Sequence, residues 1–405
     1  MNTSNYDICI IGGGIIGLST AFQLLQRFPR LRVAVVEKED RLAVHQTGHN
    51  SGVIHSGIYY RPGSQKAQFC AGGVDSLVRF CDENEIPYER CGKVIVATDE
   101  SELGRLDTLY ERGTANGVPG LRMIGPEELA EVEPYARGIR ALHSPATGIV
   151  DYTRVAYAYA SRFDESGGVI YLDSRVLNIT SRGDATILST SSGDVSCRNV
   201  VNCAGLYSDR VAQMMGAPSP VQIVPFRGEY YTLKDESRDL VRTLIYPVPN
   251  PRFPFLGVHF TRNIHGHVEA GPNAVLAYAR EGYRKSRINP GELASTLTFR
   301  GFWSMSRRNW KIGLGEMHRS LSRRIFLKDL QRLVPAVQNK DLAPGGAGVR
   351  AQAVDRNGAL LDDFNIWQTA GAIHVLNAPS PGATSSISIG QHIVGLAAEN
   401  FGLDG

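Results

Sequence analysis

The sequence predicts an α/β protein in which a Rossmann-like nucleotide-binding domain is joined to a second α+β domain built on a mainly antiparallel sheet. Three observations carry this. The 405 residues exceed the roughly 250–300 at which a single hydrophobic core stops growing, so two domains are the default. Residues 6–37 read strand, glycine turn, helix, strand, the opening of a parallel sheet. Residues 222–233 and 255–261 look like longer strands of a second, more antiparallel sheet.

Taken in order, YDICII at 6–11 is a short β-branched apolar run, Ile15 to Phe28 has helical spacing, and RVAVVE at 32–37 is a second strand. Residues 41–64 are rich in Gly, His, Ser and Asn without a period, and read as a long structured loop of the functional kind. A helix (65–84), a strand (93–97), a helix (101–116) and a Pro/Gly-punctuated passage to Gly148 follow. Residues 153–166 read as helix, and 169–202 as short strands with turns at Gly167-Gly168 and Gly193-Asp194. The pattern is helical from 289 to 334, and the last 60 residues return to strand, Gly-rich loop and a helix at 382–399. The interleaving implies domains assembled from separate segments: 1–85, 145–220 and 340–405 for the nucleotide-binding domain, 86–144 and 221–339 for the substrate domain.

Composition excludes several classes. With 42% apolar and 20% charged residues and a net charge of +3, the chain is neither disordered nor globally suited to nucleic acid, and 43 glycines in 405 residues are too few for a collagen-like fibre. The six cysteines show no CxxC pair and no metal-like grouping with histidine, so reduced thiols and no metal are expected. The run Ile8–Leu25 is preceded by no Lys or Arg, opens at Asp7 and is broken by four glycines, which suits a strand turning into a helix rather than a signal or a membrane span.

Gly12-Gly13-Gly14-Ile15-Ile16-Gly17 is a GxGxxG between strand and helix, and Glu37 stands 20 positions after its last glycine. Gly12 permits the tight turn, Gly14 lets backbone approach a pyrophosphate, and Gly17 lets helix pack on strand. The helix start at Ile15 and Ile16 offers bare N–H donors to phosphate, and Glu37 accepts ribose hydroxyls. The fingerprint serves NAD and FAD alike, and two further segments favour FAD. Val200–Gly205 is a strand ending in a small-residue turn at Ala204 and Gly205, suited to pass beneath a dinucleotide. His374–Asn377 leads through Ala378-Pro379-Ser380-Pro381 to Gly382, Ala383, Thr384 and Ser385, where a helix start would aim N–H groups at the charge a reduced flavin gathers. An ordinary capped helix is the competing reading there.

The segment from His45 to Tyr60 (HQTGHNSGVIHSGIYY), with Thr147–Tyr152 (TGIVDY), Pro225–Tyr231 (PFRGEYY) and Leu376–Pro381 (LNAPSP), resembles the L-2-hydroxyglutarate oxidase/dehydrogenase family, within the D-amino-acid-oxidase-like FAD enzymes. The likeness spans essentially the whole chain. It implies an FAD-binding domain with a substrate domain over the flavin's open face. It further implies oxidation of L-2-hydroxyglutarate to 2-oxoglutarate by hydride transfer to flavin N5, with electrons passed to a quinone chain or to oxygen. The long loop, through Thr47, Gly48, His49, Asn50, Ser51 and Gly52, is implied to run beside the flavin, with Lys38 and Val176 also on the cofactor. Lacking the presequence of mitochondrial members, the chain is expected to be bacterial, in the cytoplasm or at the inner face of the cytoplasmic membrane. The alternatives are glycerol 3-phosphate or amino-acid oxidation by a related flavoenzyme, or a non-catalytic flavin-binding redox module.

Oxidising a 2-hydroxy acid needs a base for the hydroxyl proton and anchors for two carboxylates. His259 alternates with core residues on its strand and is a candidate base, and His55, in the loop beside the flavin, is the other. His45 and His49 fit positioning roles, His318 and His392 helix surfaces, and His374 the strand before the flavin loop. Arg350 follows the flexible Gly345–Gly348 passage and resembles the carboxylate-binding arginine of the group; Arg227 and Arg262 are further candidates that could instead pair with acids such as Glu229. Tyr59, Tyr60 and Tyr231 are candidate donors to a substrate oxygen. Residues 284–328 hold eleven Lys or Arg against Glu292 and Glu316, with Phe302, Trp303 and Trp310 interleaved, which suits either a solvated basic face or contact with an anionic membrane.

Overall fold

The structure, a computed structural model, describes residues 5–217, 219–250 and 256–403. Two sheets organise it. The first forms around β1 (Asn5–Ile11), α1 (Ile15–Arg27) and β2 (Val33–Val36), with β1 and β2 parallel and in register from Ile8 opposite Val33 to Ile11 opposite Val36. Ile8, Cys9 and Ile10 are all fully buried, because a parallel sheet is covered on both faces. Val169–Tyr171 extends the sheet parallel to β2, and Gly193–Asn202 lies parallel to β1 on its other side. Ala372–Asn377 then runs parallel to Gly193–Asn202, while Ala185–Thr190 and Val176–Arg182 complete that edge antiparallel. The resulting eight-stranded sheet therefore draws on distant parts of the chain.

Helices Tyr152–Glu165, Gln65–Glu83 and Ser386–Phe401 pack with α1 over one face of this sheet, through Leu18, Leu24, Tyr159, Phe163, Ile389 and Ile393. Side chains that the 3.6-residue period puts on one stripe of each helix make this core.

The second sheet has nine strands and is antiparallel apart from Leu244–Pro247, which pairs parallel with Lys93–Ala97. The expected α+β architecture is thus observed. Its spine is Val221–Leu233, paired along its length with Leu342–Asp355. That pairing places 342–355 in this sheet rather than with the 340–405 segment to which the sequence assigned it. Alternation divides the faces: Val94, Val96, Ile245 and Phe260 pack under Phe326, Leu327 and Leu330 of helix Arg323–Gln331. Lys93, Ile95, Tyr246, His259 and Thr261 occupy the opposite faces of their strands.

The strand expected over 255–261 spans His259–Arg262, and Phe255, like residues 1–4, 218, 251–254 and 404–405, lies outside the described residues. The last helix begins at Ser386 instead of 382, because residues 380–385 are taken up by turns, with the Ser385 N–H donating to Pro381 O.

Candidate active site

A cavity of about 790 Å³ runs from the β1–α1 turn, past the 45–55 loop, to the second sheet. Of the residues expected at the cofactor, Gly12, Gly14, Ile15, Ile16, Glu37, Lys38, Thr47, His49, Asn50, Ser51, Val176, Ala204, Gly205, Gly382, Ala383 and Thr384 line it. Gly17, Gly48, Gly52 and Ser385, also expected there, do not line it.

The turn fits a dinucleotide on its own geometry. A Cβ on Gly17 would come to 2.0 Å from Gly12 O, so only glycine lets α1 start this close to the end of β1. Gly12 has φ +115°, and a Cβ there would meet Cys203 O at 2.5 Å. Gly14 differs: its Cβ would find only Thr47 Oγ1, at 3.4 Å, so the protein itself leaves that space free on the cavity side. The Ile15 N–H donates to Thr47 Oγ1 (3.0 Å), which ties the long loop to the start of α1. Glu37 Oε2 accepts from the Gly13 N–H (2.6 Å) and Oε1 from the Glu39 N–H (3.0 Å), leaving lone pairs on an oriented carboxylate at the cavity wall. The Ile15 N–H is taken by Thr47 rather than bare, but the helix start at the cavity wall, a space where a Cβ is missing and an oriented acid together match the pyrophosphate and ribose of FAD.

On the flavin-loop side, Thr384 Oγ1 accepts from the His55 N–H (3.1 Å), bonds the Tyr152 hydroxyl (2.8 Å) and donates to Val53 O (3.2 Å). These bonds lock the 45–60 loop to the 377–385 turn. Lys38 lies among Glu39, Glu281 and His45, and bonds His45 Nε2 at 2.6 Å. His49 Nδ1 donates to Ala347 O (3.0 Å), and the ring stacks on Tyr283 with centroids 4.2 Å apart.

The second sheet brings His259 and Arg350 to the same cavity as His55. Gly257 O lies 2.8 Å from His259 Nδ1, and a carbonyl only accepts, so Nδ1 carries the proton and Nε2 keeps its lone pair. Burial, with the charges of Arg350 and Lys93, pushes His259 down to about 3 against the backbone bond. His55 bonds Ser380 Oγ through Nε2 (3.2 Å), while its Nδ1 is buried without a hydrogen-bond partner among the described residues. Burial pushes it, too, down to about 3, with Lys93, His259 and Lys66 adding to the effect. Both rings are therefore neutral near pH 7. Arg350 faces the cavity beside Tyr230, whose hydroxyl burial raises to about 12 while the guanidinium opposes that shift.

Four expected substrate contacts are placed elsewhere. Arg227 is buried and bonds Glu229 through Nε and Nη2 (3.1 and 2.9 Å), and Tyr231 packs edge-on against Phe326 (4.9 Å). Strand alternation is the reason: Gly228 and Tyr230 face the cavity, so Arg227, Glu229 and Tyr231 point away. Arg262 stands on the opposite face of its strand from His259 and pairs with Glu89. Tyr60 is buried behind the wall. The sequence reading passed over Tyr230, Tyr246, Lys66 and Gln352, all on the cavity wall. Parity with Arg350 on their shared strand would have found Gln352; Tyr230 and Tyr246 lie on other strands whose facing only the fold sets, and no local signal marked Lys66.

Comparison with known proteins agrees with this geometry. Residues 7–396 match the family model described as FAD dependent oxidoreductase. An L-2-hydroxyglutarate dehydrogenase of Indibacter alkaliphilus is 54% identical over 398 residues, covering 98% of this chain and 100% of that protein. The mitochondrial L-2-hydroxyglutarate dehydrogenase of Homo sapiens is 45% identical, covering 99% and 90%. Among solved structures, the FAD-bound L-alpha-glycerophosphate oxidase of Mycoplasma pneumoniae superposes with a TM-score of 0.79 at 22% identity, covering 99% of this chain and 96% of that one.

Proposed function

The chain belongs to the FAD dependent oxidoreductase family, and from that premise we propose that it oxidises L-2-hydroxyglutarate to 2-oxoglutarate and delivers the electrons to a membrane quinone. FAD, when bound, supplies the two-electron acceptor for the reacting carbon. The residues of the chain do the rest. The β1–α1 turn and Glu37 hold the nucleotide. Arg350 presents its planar fork to the carboxylate next to the reacting carbon, with the Tyr230 hydroxyl as a neighbouring donor. His259 takes the substrate hydroxyl proton on Nε2, its Nδ1 bond to Gly257 O fixing the ring and the tautomer. Desolvation of His55 and His259 keeps both neutral until a substrate arrives whose negative charge raises their basicity.

The observation that carries this reading is the convergence of an oriented neutral histidine and a cavity-facing arginine beside the dinucleotide turn, in a chain 54% identical to a protein bearing that activity's name. Anaerobic mixing with L-2-hydroxyglutarate tests it. The yellow absorbance of oxidised flavin should bleach with the L-isomer and persist with glutarate, which has no hydroxyl to oxidise. Bleaching by glycerol 3-phosphate or an amino acid, and not by L-2-hydroxyglutarate, would overturn it.

The quinone part is supported by the surface of helix Arg300–Leu321. Trp303, Trp310, Leu314, Met317 and Leu321 are all exposed, Leu321 to 80%. Beyond a kink at Asn309, spacings of four, three and four residues put Trp310, Leu314, Met317 and Leu321 on one helix face, and Trp303 is exposed ahead of the kink. Arg307 and Lys311 are exposed beside them. An apolar stripe with basic flanks suits an anionic bilayer surface, and no helix of the described residues is long and apolar enough to cross one. The double substitution W303S/W310S is expected to cut co-sedimentation with phosphatidylglycerol vesicles by about tenfold while leaving flavin bleaching unchanged. Equal sedimentation of variant and parent would remove this surface from the role.

A further inference from the structure

Lys93 opens the strand Lys93–Ala97, is only 1% exposed, and has no carboxylate in ion-pair contact among the described residues. Its Nζ lies between two aromatic rings, 4.6 Å from the centroid of Tyr59 and 4.9 Å from that of Tyr246. Tyr246 in turn lies against His259, ring centroids 3.9 Å apart and planes tilted by 31°, and it lines the cavity. Lys93 thus sits one aromatic layer behind the wall that carries His259, close enough for its charge to be felt at both His259 and His55. A buried ammonium paired only with ring faces is costly, because cation–π contacts recover part of the lost hydration and no counter-charge supplies the remainder.

We propose that Lys93 is a specificity-determining residue whose counter-charge is the substrate itself: it favours dianions in the cavity over monoanions through Tyr246, without touching them. This rests on the proposed dicarboxylate substrate. Of the other cations on the wall, Arg350 supplies one contact, Lys66 is bonded to Asp362 at 2.8 Å, Lys38 is paired with Glu39 and Glu281, and Arg175 and Arg210 are not among the groups around Lys93. Lys93 is therefore the cation whose charge a second carboxylate would balance. The groups facing it are thiols, phenols and imidazoles: Cys70 from the helix Gln65–Glu83, Cys91, Tyr59 and His55 from loops, and Tyr246 and His259 from strands. Burial raises Cys70 to about 12 and Cys91 to about 11, and holds both histidines near 3. Burial also brings Lys93 down to about 7, so among these groups Lys93 is the one that changes charge between pH 6 and 9. Its positive form is present below that value and lost as pH rises through it.

The test uses the FAD-loaded protein and the inhibitors glutarate and butyrate, read as displacement of the flavin spectrum or as competition with substrate. In the parent protein the preference for glutarate over butyrate should fall as pH rises from 6 to 9. K93R, charged throughout, should retain the preference at pH 9. K93M should lower it at pH 6 by about tenfold, the scale of one partly screened charge interaction, and raise KM for L-2-hydroxyglutarate more than it lowers kcat. FAD content and thermal midpoint of each variant report folding. If K93M does not fold, the parent and K93R profiles decide alone. An unchanged glutarate-to-butyrate ratio in K93M, or a parallel pH dependence in K93R and parent, would overturn the assignment of Lys93. A parent that is not bleached by L-2-hydroxyglutarate would instead overturn the substrate reading, so the two failures are separable.

Discussion

Replacing His259 by glutamine is expected to slow substrate-dependent flavin reduction by about 10²- to 10⁴-fold, the range for loss of a positioned general base, while FAD stays bound. The argument rests on Nε2. Because Gly257 O can only accept, Nδ1 holds the proton and Nε2 is the sole lone pair of that ring available to a hydroxyl in the cavity. Glutamine keeps the volume and a hydrogen-bonding end but has no basic nitrogen. His55 offers the control. Its Nε2 meets Ser380 Oγ at 3.2 Å, a hydroxyl that can donate or accept, so its tautomer is not fixed in the same way. H55Q should therefore slow reduction less than H259Q. The pH dependence has a definite sign. Burial lowers His259 to about 3, so the base form is already present near pH 7 and is lost only as pH falls through that lower value. The second-order rate of flavin reduction at low substrate, which reports the free protein, should therefore show no fall attributable to His259 through the ordinary histidine range near 6.5. Stopped-flow reduction under anaerobic conditions measures both effects. Parent-like rates in H259Q, with H55Q impaired, would transfer the role to His55.

The cofactor half of this site was legible in the sequence because it is written in backbone. Gly17 has a reason five positions away, in Gly12 O, Gly12 has one in its own φ of +115°, and Glu37 follows at a spacing set by one helix and one strand. The substrate half depends on which face each strand turns to the cavity, and there a one-residue error in parity exchanges every partner. Tyr231 and Tyr230 show this directly: adjacent and chemically identical, one packs on Phe326 and the other on the cavity. Arg227 carried its warning two positions away, in Glu229, which it pairs with at 2.9 Å. Arg262 shares its strand with His259 but not its face, and its partner Glu89 is 173 positions distant, beyond any local reading. Lys93 left a faint trace, a single cation at the head of the apolar run KVIVA. Its meaning depends on Tyr59 and Tyr246, which only the fold brings to it. The same limit applied to strand 342–355, whose pairing with 221–233 crosses more than a hundred residues.

Gly17→Ala should abolish FAD retention, and its comparison with Gly14→Ala separates the two things a glycine does in this turn. At position 17 the new methyl would fall 2.0 Å from Gly12 O and 3.2 Å from Gly12 C, backbone atoms that cannot step aside. The start of α1 must shift away from β1, and with it the turn at residues 12–16 that lines the cavity. Overpacking of this kind costs about 1–3 kcal/mol of stability, so G17A should melt lower even without cofactor and bind FAD at least about 10²-fold more weakly, a loss of ~2.7 kcal/mol. At position 14 the methyl meets only Thr47 Oγ1, at an ordinary 3.4 Å. The apoprotein should therefore tolerate G14A, with a thermal midpoint close to that of the parent apoprotein. FAD affinity should nevertheless fall, because the methyl occupies the space through which backbone approaches the pyrophosphate. The ratio of flavin to protein absorbance after purification, titration of the apoprotein with FAD, and the apoprotein melting curve distinguish the cases. If G14A retained FAD as the parent does, the pyrophosphate could not lie against Gly14, and the placement of the nucleotide over this turn would have to be abandoned however well the helix start suits an anion. If instead both variants melted together with the parent and both lost FAD, the close packing of α1 on β1 would be ruled out as the reason for glycine at 17.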